Sequence, residues 1–254
     1  MTQAEIIKAL TAAIDRGDYR YGDRLPTTRE LAEQFSSSQQ TVASALTVMA
    51  SMGMVQVQRG WGSKVIAGKP GRINLGTYLS ANREVATGTT AWARDNGAGS
   101  KEGPTQVSQT VTTESDADTG IPVGTEIVER TRTRFDADGA PCQHKRTLVT
   151  VEAATLTPEG WSGLPPMMSS GDVIPPAGMS IAKWLGMGVE RISYEICTAP
   201  AASAAAAALT VPEATPCLRI VSRGVRRDGT VAYATVTTAP LRSSISLEIQ
   251  DGAE

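Results

Sequence analysis

Apolar residues recur at helical spacing in three stretches near the start of the chain, separated by short polar or glycine-containing connections. At the start of the second stretch, Thr27 and Glu30 have the spacing of a capping box, in which each side chain accepts a hydrogen bond from a backbone amide. Gly17 and Gly53 follow the first and third stretches and are suitable helix ends. The pattern predicts three helices, over residues 4–16, over residues 28–35, and from the serines SSS to Gly53.

The sequence after the third helix, MVQVQRGWGSKVIA, alternates between apolar and polar residues around a glycine-containing centre. This alternation predicts a hairpin with strands near 54–58 and 64–66 and a tip at 59–62. Three helices followed by a two-stranded ribbon form the outline of a winged helix-turn-helix, whose third helix enters the major groove of DNA. Residues 1–67 are predicted to form this domain.

The beginning of the third helix carries side chains that suit the edges of DNA bases. Glutamine, as at Gln39 and Gln40, can hydrogen bond to adenine through two atoms, and the methyl group of Thr41 suits thymine. In the ribbon, Arg59 and Lys64 stand beside flexible glycines, so backbone and cation can approach phosphates or the minor groove. The alternative is that the two glutamines are only solvated residues next to a helix cap.

Residues 68–105 interrupt the regular patterns. They are rich in glycine, threonine, asparagine and alanine, and their apolar positions show little periodicity. This composition is typical of a connection between domains. The sequence therefore predicts a linker over this range.

A weak internal repeat follows, displaced by ninety residues. PVGTEIVERTRTRFDADGAP begins at Pro122 and PEATPCLRIVSRGVRRDGTV begins at Pro212, and each contains Asp-Gly between alternating stretches, a sequence typical of hairpin turns. AASAAAAALTV and SIAKWLGMG predict short helices beside the hairpins. Residues 106–254 are therefore predicted to form an α+β domain, an antiparallel sheet with helices packed on it.

Composition and charge narrow the function classes only slightly. The net charge is -2, but residues 1–70 carry eight Lys/Arg and six Asp/Glu (+2), and the remainder carries sixteen and twenty (-4), so a DNA partner stays open. No apolar run approaches the ~20 residues that cross a bilayer. Three cysteines without a CxxC spacing do not indicate a disulfide framework. We expect a cytoplasmic protein that makes no membrane contact.

Catalytic chemistry has little support in the sequence. His144 is the single histidine, and although Cys142 lies two residues away, nothing nearby orients the imidazole. Metal-ligand clusters, a phosphate-binding loop and a dinucleotide fingerprint are all missing from the sequence. The sequence predicts that the chain is not an enzyme and that it binds no cofactor.

The segment GDRLPTTRELAEQF…TVASALTVMASMGMVQVQRGWGSKV resembles the DNA-binding domain of GntR-type bacterial regulators, over residues 4 to about 67. The resemblance implies that Arg29 contacts phosphate or base, that the third helix reads bases, and that the wing tip enters the minor groove. Relatives usually carry basic residues near the positions of Gln39 and Ala43, so fewer cationic contacts are implied here. The predicted DNA-binding residues are Thr27, Arg29, Ser38, Gln39, Gln40, Thr41, Ser44, Arg59, Gly60, Trp61, Gly62 and Lys64.

The order and spacing of RTRTRFDADGAPCQHKRTLV, ISYEICTAPAASAAAAALTVPEATPCLRIV and RRDGTVAYATV resemble the UTRA domain, the ligand-sensing half of HutC-type GntR regulators, whose fold is like chorismate lyase. The resemblance implies a small-molecule effector, with anions held by arginines of the first hairpin and with a glutamate on the connecting strand. The implied effector-binding residues are Arg132, Arg134, Gln143, Glu195 and Tyr233. Relatives carry an arginine and an acidic residue at the positions of Ala199 and Ala232, so the effector could differ from a sugar phosphate or be absent.

Each effector candidate also has a structural alternative. Arg130, Arg132 and Arg134 share one face of a strand, and such a face is often solvated. Glu195 could be an exposed strand residue, and a tyrosine such as Tyr233 more often packs than binds a ligand. The residues alone leave both readings open.

Together these patterns predict a one-component transcription regulator, most simply a repressor, whose effector alters its affinity for DNA. A homodimer would place two third helices in successive major grooves of a near-palindromic site in double-stranded DNA. The alternative, from another functional class, is a small-molecule binding protein or degenerate lyase-like enzyme that uses its winged helix for protein contacts.

Overall fold

The computed structural model describes residues 1–58, 62–75, 91–176 and 179–247. Its N-terminal part contains the predicted three helices and two-stranded antiparallel ribbon, a winged helix-turn-helix. These elements are α1 (Gln3–Arg16), α2 (Thr28–Gln34), α3 (Gln39–Ser51), β1 (Val55–Gln58) and β2 (Gly62–Val65). Their apolar sides form one core that includes Ile6, Leu10, Leu31, Val42 and Met49. Burial of each large apolar side chain contributes about 1.5–3 kcal/mol.

Side-chain caps determine where α2 and α3 begin. The amide of Glu30 donates to Thr27 Oγ1 at 3.2 Å, and the amide of Thr27 donates to Glu30 Oε2 at 2.7 Å, which confirms the predicted capping box. The amide of Thr41 donates to Ser38 Oγ at 3.0 Å. A cap of this kind is worth about 1 kcal/mol. The first turns of both helices are therefore well defined.

Most of the remaining described chain is built around a seven-stranded antiparallel sheet. Its strands are β4 (Lys101–Glu102), β5 (Gln106–Val111), β6 (Glu126–Phe135), β7 (Pro141–Thr150), β8 (Val189–Pro200), β9 (Pro216–Arg226) and β10 (Val231–Pro240). The order is β4-β6-β7-β10-β9-β8, and β5 also pairs with β6. The chain thus has the predicted α+β organisation, with an antiparallel-sheet domain after the winged helix.

The two halves of the sequence repeat are the hairpins β6–β7 and β9–β10, and they meet in the centre of the sheet through β7 and β10. Arg132 lies opposite Lys145, and the residues ninety positions later, Ser222 and Thr235, also lie opposite each other. Gly139 and Gly229 end the two Asp-Gly turns with φ of +82° and +88°, values that glycine adopts without strain. Both predicted hairpins are confirmed.

The two faces of the sheet are covered by different elements. We call the side that carries Arg130, Arg132 and Arg134 the arginine face, and the other side the opposite face. The arginine face is covered by α5 (Val151–Ala154), α6 (Ile181–Trp184) and a 3-10 helix (Pro166–Met168) at one end, and by β3 (Arg72–Asn74) with β11 (Ser244–Ser246) at the other. The opposite face packs against a 3-10 helix (Glu114–Thr119) and α7 (Ser203–Leu209). None of the described helices is long and apolar enough to cross a membrane.

Parts of the predicted linker belong structurally to the sheet domain. β3 pairs with β11 in parallel, β4 pairs with β6, and α4 (Ala91–Asn96) lies between them in sequence. The side chain of Asn96 bonds to the backbone of Arg72 through both its oxygen and its nitrogen, at 2.7 and 3.1 Å. Short edge strands of this kind leave little periodicity in a sequence, which explains why the composition indicated only a connection. The domain boundaries at 67 and 105 remain predictions.

The winged helix contacts the sheet domain at the end of α3. A Cβ atom on Gly53 would lie 3.1 Å from Val211 and 3.2 Å from Thr215, so these surfaces are closely packed. Arg242 donates a hydrogen bond to Asp15 on α1 and another to the carbonyl of Gly68 at 3.3 Å. The two parts of the chain therefore share both an apolar contact and an ionic contact.

Candidate functional site

The leading end of α3 is exposed. Gln39, Gln40 and Ala43 are on the solvent side of the helix, whereas Val42 and Leu46 are buried against the rest of the domain. Thr41 and Ser44 are half-buried at the edge of the exposed side. Because α1 packs on the buried side of α3, the exposed side is open to a partner. Its glutamines can present both donors and acceptors to base edges.

Arg29 lies in the first turn of α2 and projects into solvent. Its side chain is 78% exposed and pairs with Glu33, one turn further along the helix, with Nε 3.2 Å from Oε1. An exposed pair of this type contributes little to stability, so a phosphate can displace the carboxylate at small cost. Thr27, which caps the same helix, is also exposed.

The ribbon is joined to the segment that precedes α2. The backbone amide of Leu25 donates to the carbonyl of Ser63 at 2.9 Å, and the backbone amide of Val65 donates to the carbonyl of Asp23 at 2.8 Å. This pairing places Arg24 beside Lys64, and both side chains are exposed. Arg24 belonged to the sequence motif but was not among the predicted contacts, because only the backbone pairing reveals that it lies beside the ribbon.

Some predicted wing residues come between the two ribbon strands in the sequence. In the register of this hairpin, Gln58 pairs with Gly62, which is exposed and has a φ of +82°. The predicted contacts Arg59, Gly60 and Trp61 lie outside the described residues. The described part of the predicted interface therefore consists of Lys64 and Gly62 in the ribbon, together with α2 and α3.

A second cluster of functional candidates lies on the arginine face. Arg134 donates through Nε to Glu102 Oε1 and through Nη1 to Gln143 Oε1, both at 2.6 Å. Its guanidinium also stacks over the ring of Trp92, 5.2 Å from the ring centroid. Arg132 bonds to Glu102 Oε2 at 3.4 Å and to Asp172. The structure therefore brings together three of the predicted effector residues, and it adds two carboxylates that the sequence patterns did not indicate.

The Arg132 side chain borders an open cleft with a volume of about 340 Å³. The cleft is lined by Glu102, Gly103, Pro104, Thr105, Arg132, Ser170, Gly171 and Asp172. Arg132 is only 19% exposed, and its Nε atom is buried without a hydrogen-bond partner within the described part of the chain. A buried donor of this kind is costly to leave unsatisfied, and the guanidinium as a whole gives the wall of the cleft a positive charge.

Arg130 binds the loop at 166–172, part of which lines this cleft. The Nη1 atom of Arg130 donates to backbone carbonyls of the 166–169 segment, including Met167 at 2.8 Å, and Nη2 donates to Gly171 at 3.2 Å. Burial, followed by the nearby charge of Arg132, lowers the pKa of Arg130 from its usual value. Arg130 therefore has a structural role that positions the loop carrying Asp172.

Glu195 does not join this cluster. Successive cross-strand pairs connect Glu195 to β6. Glu195 pairs with Val221, Val221 with Val236, Val236 with Arg146, and Arg146 with Thr131 on β6. Since cross-strand neighbours share a face, Glu195 lies on the opposite face, where its carboxylate is 2.6 Å from Arg223. A sequence pattern fixes neither the register nor the order of distant strands, so it could not separate the two faces.

Tyr233 lies on the arginine face but in another part of it. It pairs with Val149 and packs with the apolar core beneath α5 and α6. Its ring also covers Gly224, where an added Cβ would be 2.3 Å from the ring. In this position the tyrosine contributes packing at one end of the sheet.

Cys142 and His144 are both buried on the opposite face. Burial, together with the nearby Asp136, raises the pKa of the Cys142 thiol to about 12, so that it stays protonated at neutral pH. Because a thiolate is the nucleophilic form of cysteine, this pair is poorly suited to covalent catalysis. No cluster of three metal-ligating side chains occurs in the ranges that the structure describes.

Residues 2–65 match the family described as "Bacterial regulatory proteins, gntR family". The N-terminal domain is therefore a GntR-family helix-turn-helix domain, the class of DNA-binding module that its three helices and wing define. The match covers the exposed side of α3, the caps of α2 and α3, and the ribbon. No curated protein matches the chain significantly in sequence.

Several solved structures are similar to the whole chain or to its second part. PhnF from Mycobacterium smegmatis is 21% identical, with 99% of this chain and 100% of that chain covered and a TM-score of 0.49. The effector domain of the same protein is 16% identical, covers 71% of this chain and 99% of that chain, and has a TM-score of 0.45. YydK from Bacillus subtilis subsp. subtilis str. 168, described as a "possible transcriptional regulator", is 18% identical over 98% and 100% of the two chains, with a TM-score of 0.41.

Proposed function

We propose that this chain is a cytoplasmic one-component transcription regulator of the HutC-like GntR type, which represses its targets by binding a near-palindromic operator as a homodimer. The observation that carries the proposal is the exposed leading end of α3, capped by Ser38 and presenting Gln39 and Gln40 to solvent. A helix presented in this way has the shape and the donor and acceptor groups needed in a major groove.

The surface around α3 supplies the cations that such docking needs. Arg29 is exposed on α2, and Arg24 and Lys64 are exposed beside each other where the ribbon meets the segment before α2. In this proposal these side chains contact phosphates and set the register of α3 on the duplex, while the glutamines read bases. Arg59, Gly60 and Trp61 are further predicted DNA contacts.

We further propose that the UTRA-like sheet domain binds an anionic effector at Arg132, close to Arg134 and Gln143. The support is the position of Arg132 in the wall of the cleft, together with the pairing of its Nη2 atom to Asp172, which also lines the cleft. The carboxylate of Asp172 occupies the place that an effector carboxylate or phosphate would take. Binding would therefore exchange an internal anion for an external one.

A path of contacts supports communication between this cleft and the winged helix. Glu102 binds both arginines, and Trp92, which stacks on Arg134, donates from its ring nitrogen to the carbonyl of Phe135 at 3.0 Å. Trp92 lies on α4, which ends at Asn96 and is bonded to β3 through it. In this proposal a shift of α4 moves β3 and β11. The movement then alters the contact between Arg242 and the winged helix.

Selection of genomic DNA fragments by the full chain tests the DNA-binding proposal. We expect a small set of enriched sites with inverted repeats. Arg29→Ala should weaken binding to enriched and random DNA alike, whereas Gln40→Ala should lose about 1–3 kcal/mol of discrimination at one base pair of each half-site. Lys8→Ala removes an equal charge from α1, behind α3, and should bind like the wild type.

The same assay distinguishes the alternatives. The proposal fails if no fragments are enriched, or if Arg29→Ala and Gln40→Ala bind as tightly as Lys8→Ala at matched salt. If enrichment is lost in both variants but no metabolite affects it, the DNA-binding function stands. The effector is then removed from the proposal.

A further inference from the structure

The strand β8 is an edge of the sheet. It pairs with β9 along its whole length, from Val189 opposite Arg226 to Pro200 opposite Pro216. No strand in the described ranges pairs with its other side, since the strand order ends at β8. At twelve residues, β8 is the longest strand of the described sheet. A long edge strand presents a row of backbone donors and acceptors to any chain that can pair with it.

The side chains of this edge are exposed in a way that suits a partner. In the second half of β8, Ile196 is 46% exposed and the neighbouring Cys197 is also exposed. Arg191 is exposed on the face that also carries Glu195, whose side chain is 58% exposed although it pairs with Arg223. The edge therefore combines apolar positions with Arg191 and Glu195, which lie four residues apart on the same face, and with Glu190, which is exposed and lies 3.9 Å from Arg227.

Symmetry restricts how two copies of β8 can pair. Two identical neighbouring strands that run antiparallel in one sheet are related by a twofold axis perpendicular to the sheet. The same face of the sheet then continues from one copy to the other. Because side chains alternate between the faces along a strand, two residues that pair across the axis must both have odd numbers or both have even numbers. The axis must consequently pass beside a single residue, which pairs with itself.

One such register gives Arg191 an opposite charge across the strand pair, while Glu190 lies opposite Ile196 and keeps its contact with Arg227. With the axis at Ser193, Arg191 of one copy lies opposite Glu195 of the other, and this pair occurs twice. On the other face, Ile192 lies opposite Tyr194, again twice. A shift of the axis to Glu195 would place two carboxylates against each other, and a shift to Tyr194 would place Arg191 opposite Cys197. Opposite charges directly across a strand pair are stabilising, and like charges are destabilising.

We propose that a second copy of this chain pairs with the edge of β8 through the register centred on Ser193, so that the two sheets become continuous across the dimer. This inference deepens the homodimer of the proposed function and depends on it for the partner. It also gives Glu195 a role, since its carboxylate is shared between Arg223 of its own chain and Arg191 of the second copy.

Disulfide trapping in the full chain tests the register. In Ser193→Cys/Cys197→Ser, the two introduced thiols lie opposite each other with Cα atoms about 4.5–5.5 Å apart, within the range that a disulfide spans. Mild oxidation should therefore give a covalent dimer on a non-reducing gel. Thr198→Cys/Cys197→Ser is the control, because residue 198 would lie opposite residue 188 and its two copies would be about 34 Å apart. Cross-linking only in the control, or equal cross-linking in both, would overturn the register.

Charge reversal gives a second measurement that does not depend on cysteine reactivity. Arg191→Glu should raise the dimer dissociation constant about tenfold in sedimentation equilibrium, since two attractive pairs become repulsive. Arg191→Glu/Glu195→Arg should recover most of the loss. A wild-type chain that is monomeric at tens of micromolar, or a dimer unaffected by Arg191→Glu, would overturn the proposal. Operator binding measured on the same samples shows separately whether the DNA-binding function stands.

Discussion

Arg242, which follows the last central strand of the sheet, donates a hydrogen bond to Asp15 on the first helix of the winged domain. The side chain of Arg242 is 17% exposed and that of Asp15 is 42% exposed, so the pair lies at the edge of the contact between the two parts. Burial lowers the pKa of Arg242, although an arginine remains charged at neutral pH. Arg242 also reaches the carbonyl of Gly68, immediately after the winged domain.

We expect this pair to couple the two domains. Arg242→Ala should weaken their docking, because the remaining contacts at Gly53 and Thr210 are small apolar or weak polar ones. Small-angle scattering should show a larger radius of gyration than for the wild type, and limited proteolysis should become faster near residues 68–71. If effector response depends on docking, the variant should bind DNA with less dependence on ligand.

A double-mutant cycle separates the pair from general effects of losing Arg242. Asp15→Asn and Arg242→Ala should be non-additive in unfolding free energy by about 1 kcal/mol, as for residues in contact. Asp18→Asn is a matched control on the same end of α1, where the carboxylate pairs with Arg16 instead. Additive effects at Asp15 would mean that the ion pair does not hold the domains together.

The neutral side chain of Gln39 leads to a prediction about salt. A lysine at this exposed position on α3 would add one phosphate contact, so Gln39→Lys should steepen the slope of log K against log salt by about 0.9. Fluorescence anisotropy with a selected operator, measured at several salt concentrations, gives this slope directly. At low salt we expect tighter binding of random DNA, whereas the operator gains the phosphate contact and loses the base contact of Gln39.

The control places the same charge elsewhere. Gln106→Lys changes an exposed residue of β5 in the sheet domain, far along the chain from the interface. Its slope should equal that of the wild type within error. Equal slopes for Gln39→Lys and the wild type would indicate that the start of α3 does not approach the phosphates.

Much of the winged helix could be predicted from the sequence, because its signals are local. Helical periodicity, the Thr27–Glu30 capping box and the alternating ribbon are each contained within a few residues. The hairpins of the sheet were also predictable, since Asp-Gly turns such as those at Gly139 and Gly229 determine their own register. These elements needed no information about distant parts of the chain.

The candidate effector site was predictable only in part, because its partners come from distant segments. The alternation in β6 put Arg132 and Arg134 on one face, but the carboxylates that bind them come from β4 and from the loop at Asp172. Glu195 was assigned to the same group, although the order of the strands places it on the other face. Pairings between distant strands follow from the packing of the whole sheet and leave no local pattern.

His144 should make stability depend on pH between about 5.5 and 7.5. Burial lowers its pKa in the folded chain, with opposing effects from Glu129 and Arg146. The unfolded chain, whose histidine has a pKa of about 6.5, therefore binds more protons in this window. The contribution of neutral His144 to the free energy of unfolding is fully present above about pH 6.5. It is lost as the pH falls below this value, by no more than about 1.4 kcal/mol per pH unit.

Thermal unfolding of the wild type and of His144→Gln measures this contribution. The wild type should unfold at a lower temperature at pH 5.5 than at pH 7.5, and the difference should shrink in the variant. Because His144 is the single histidine of the sequence, no other imidazole complicates the comparison. An unchanged difference would assign the pH dependence to other groups.

Asp172 should compete with an anionic effector for Arg132. Removal of its charge in Asp172→Asn would leave Arg132 with Glu102 as its remaining carboxylate partner. Inorganic phosphate should then stabilise the variant against heat at about tenfold lower concentration than the wild type, which corresponds to about 1.4 kcal/mol of lost competition. Arg132→Ala should show no specific response to phosphate while its winged helix still binds DNA.

A matched variant keeps this test specific. Asp138→Asn removes the same charge from the exposed turn between β6 and β7, and its response to phosphate should equal that of the wild type. If Asp172→Asn and Asp138→Asn respond alike, the loop carboxylate does not guard the cleft. If Arg132→Ala responds as the wild type does, the anion binds elsewhere, because a guanidinium that holds the ligand cannot be removed without loss of affinity.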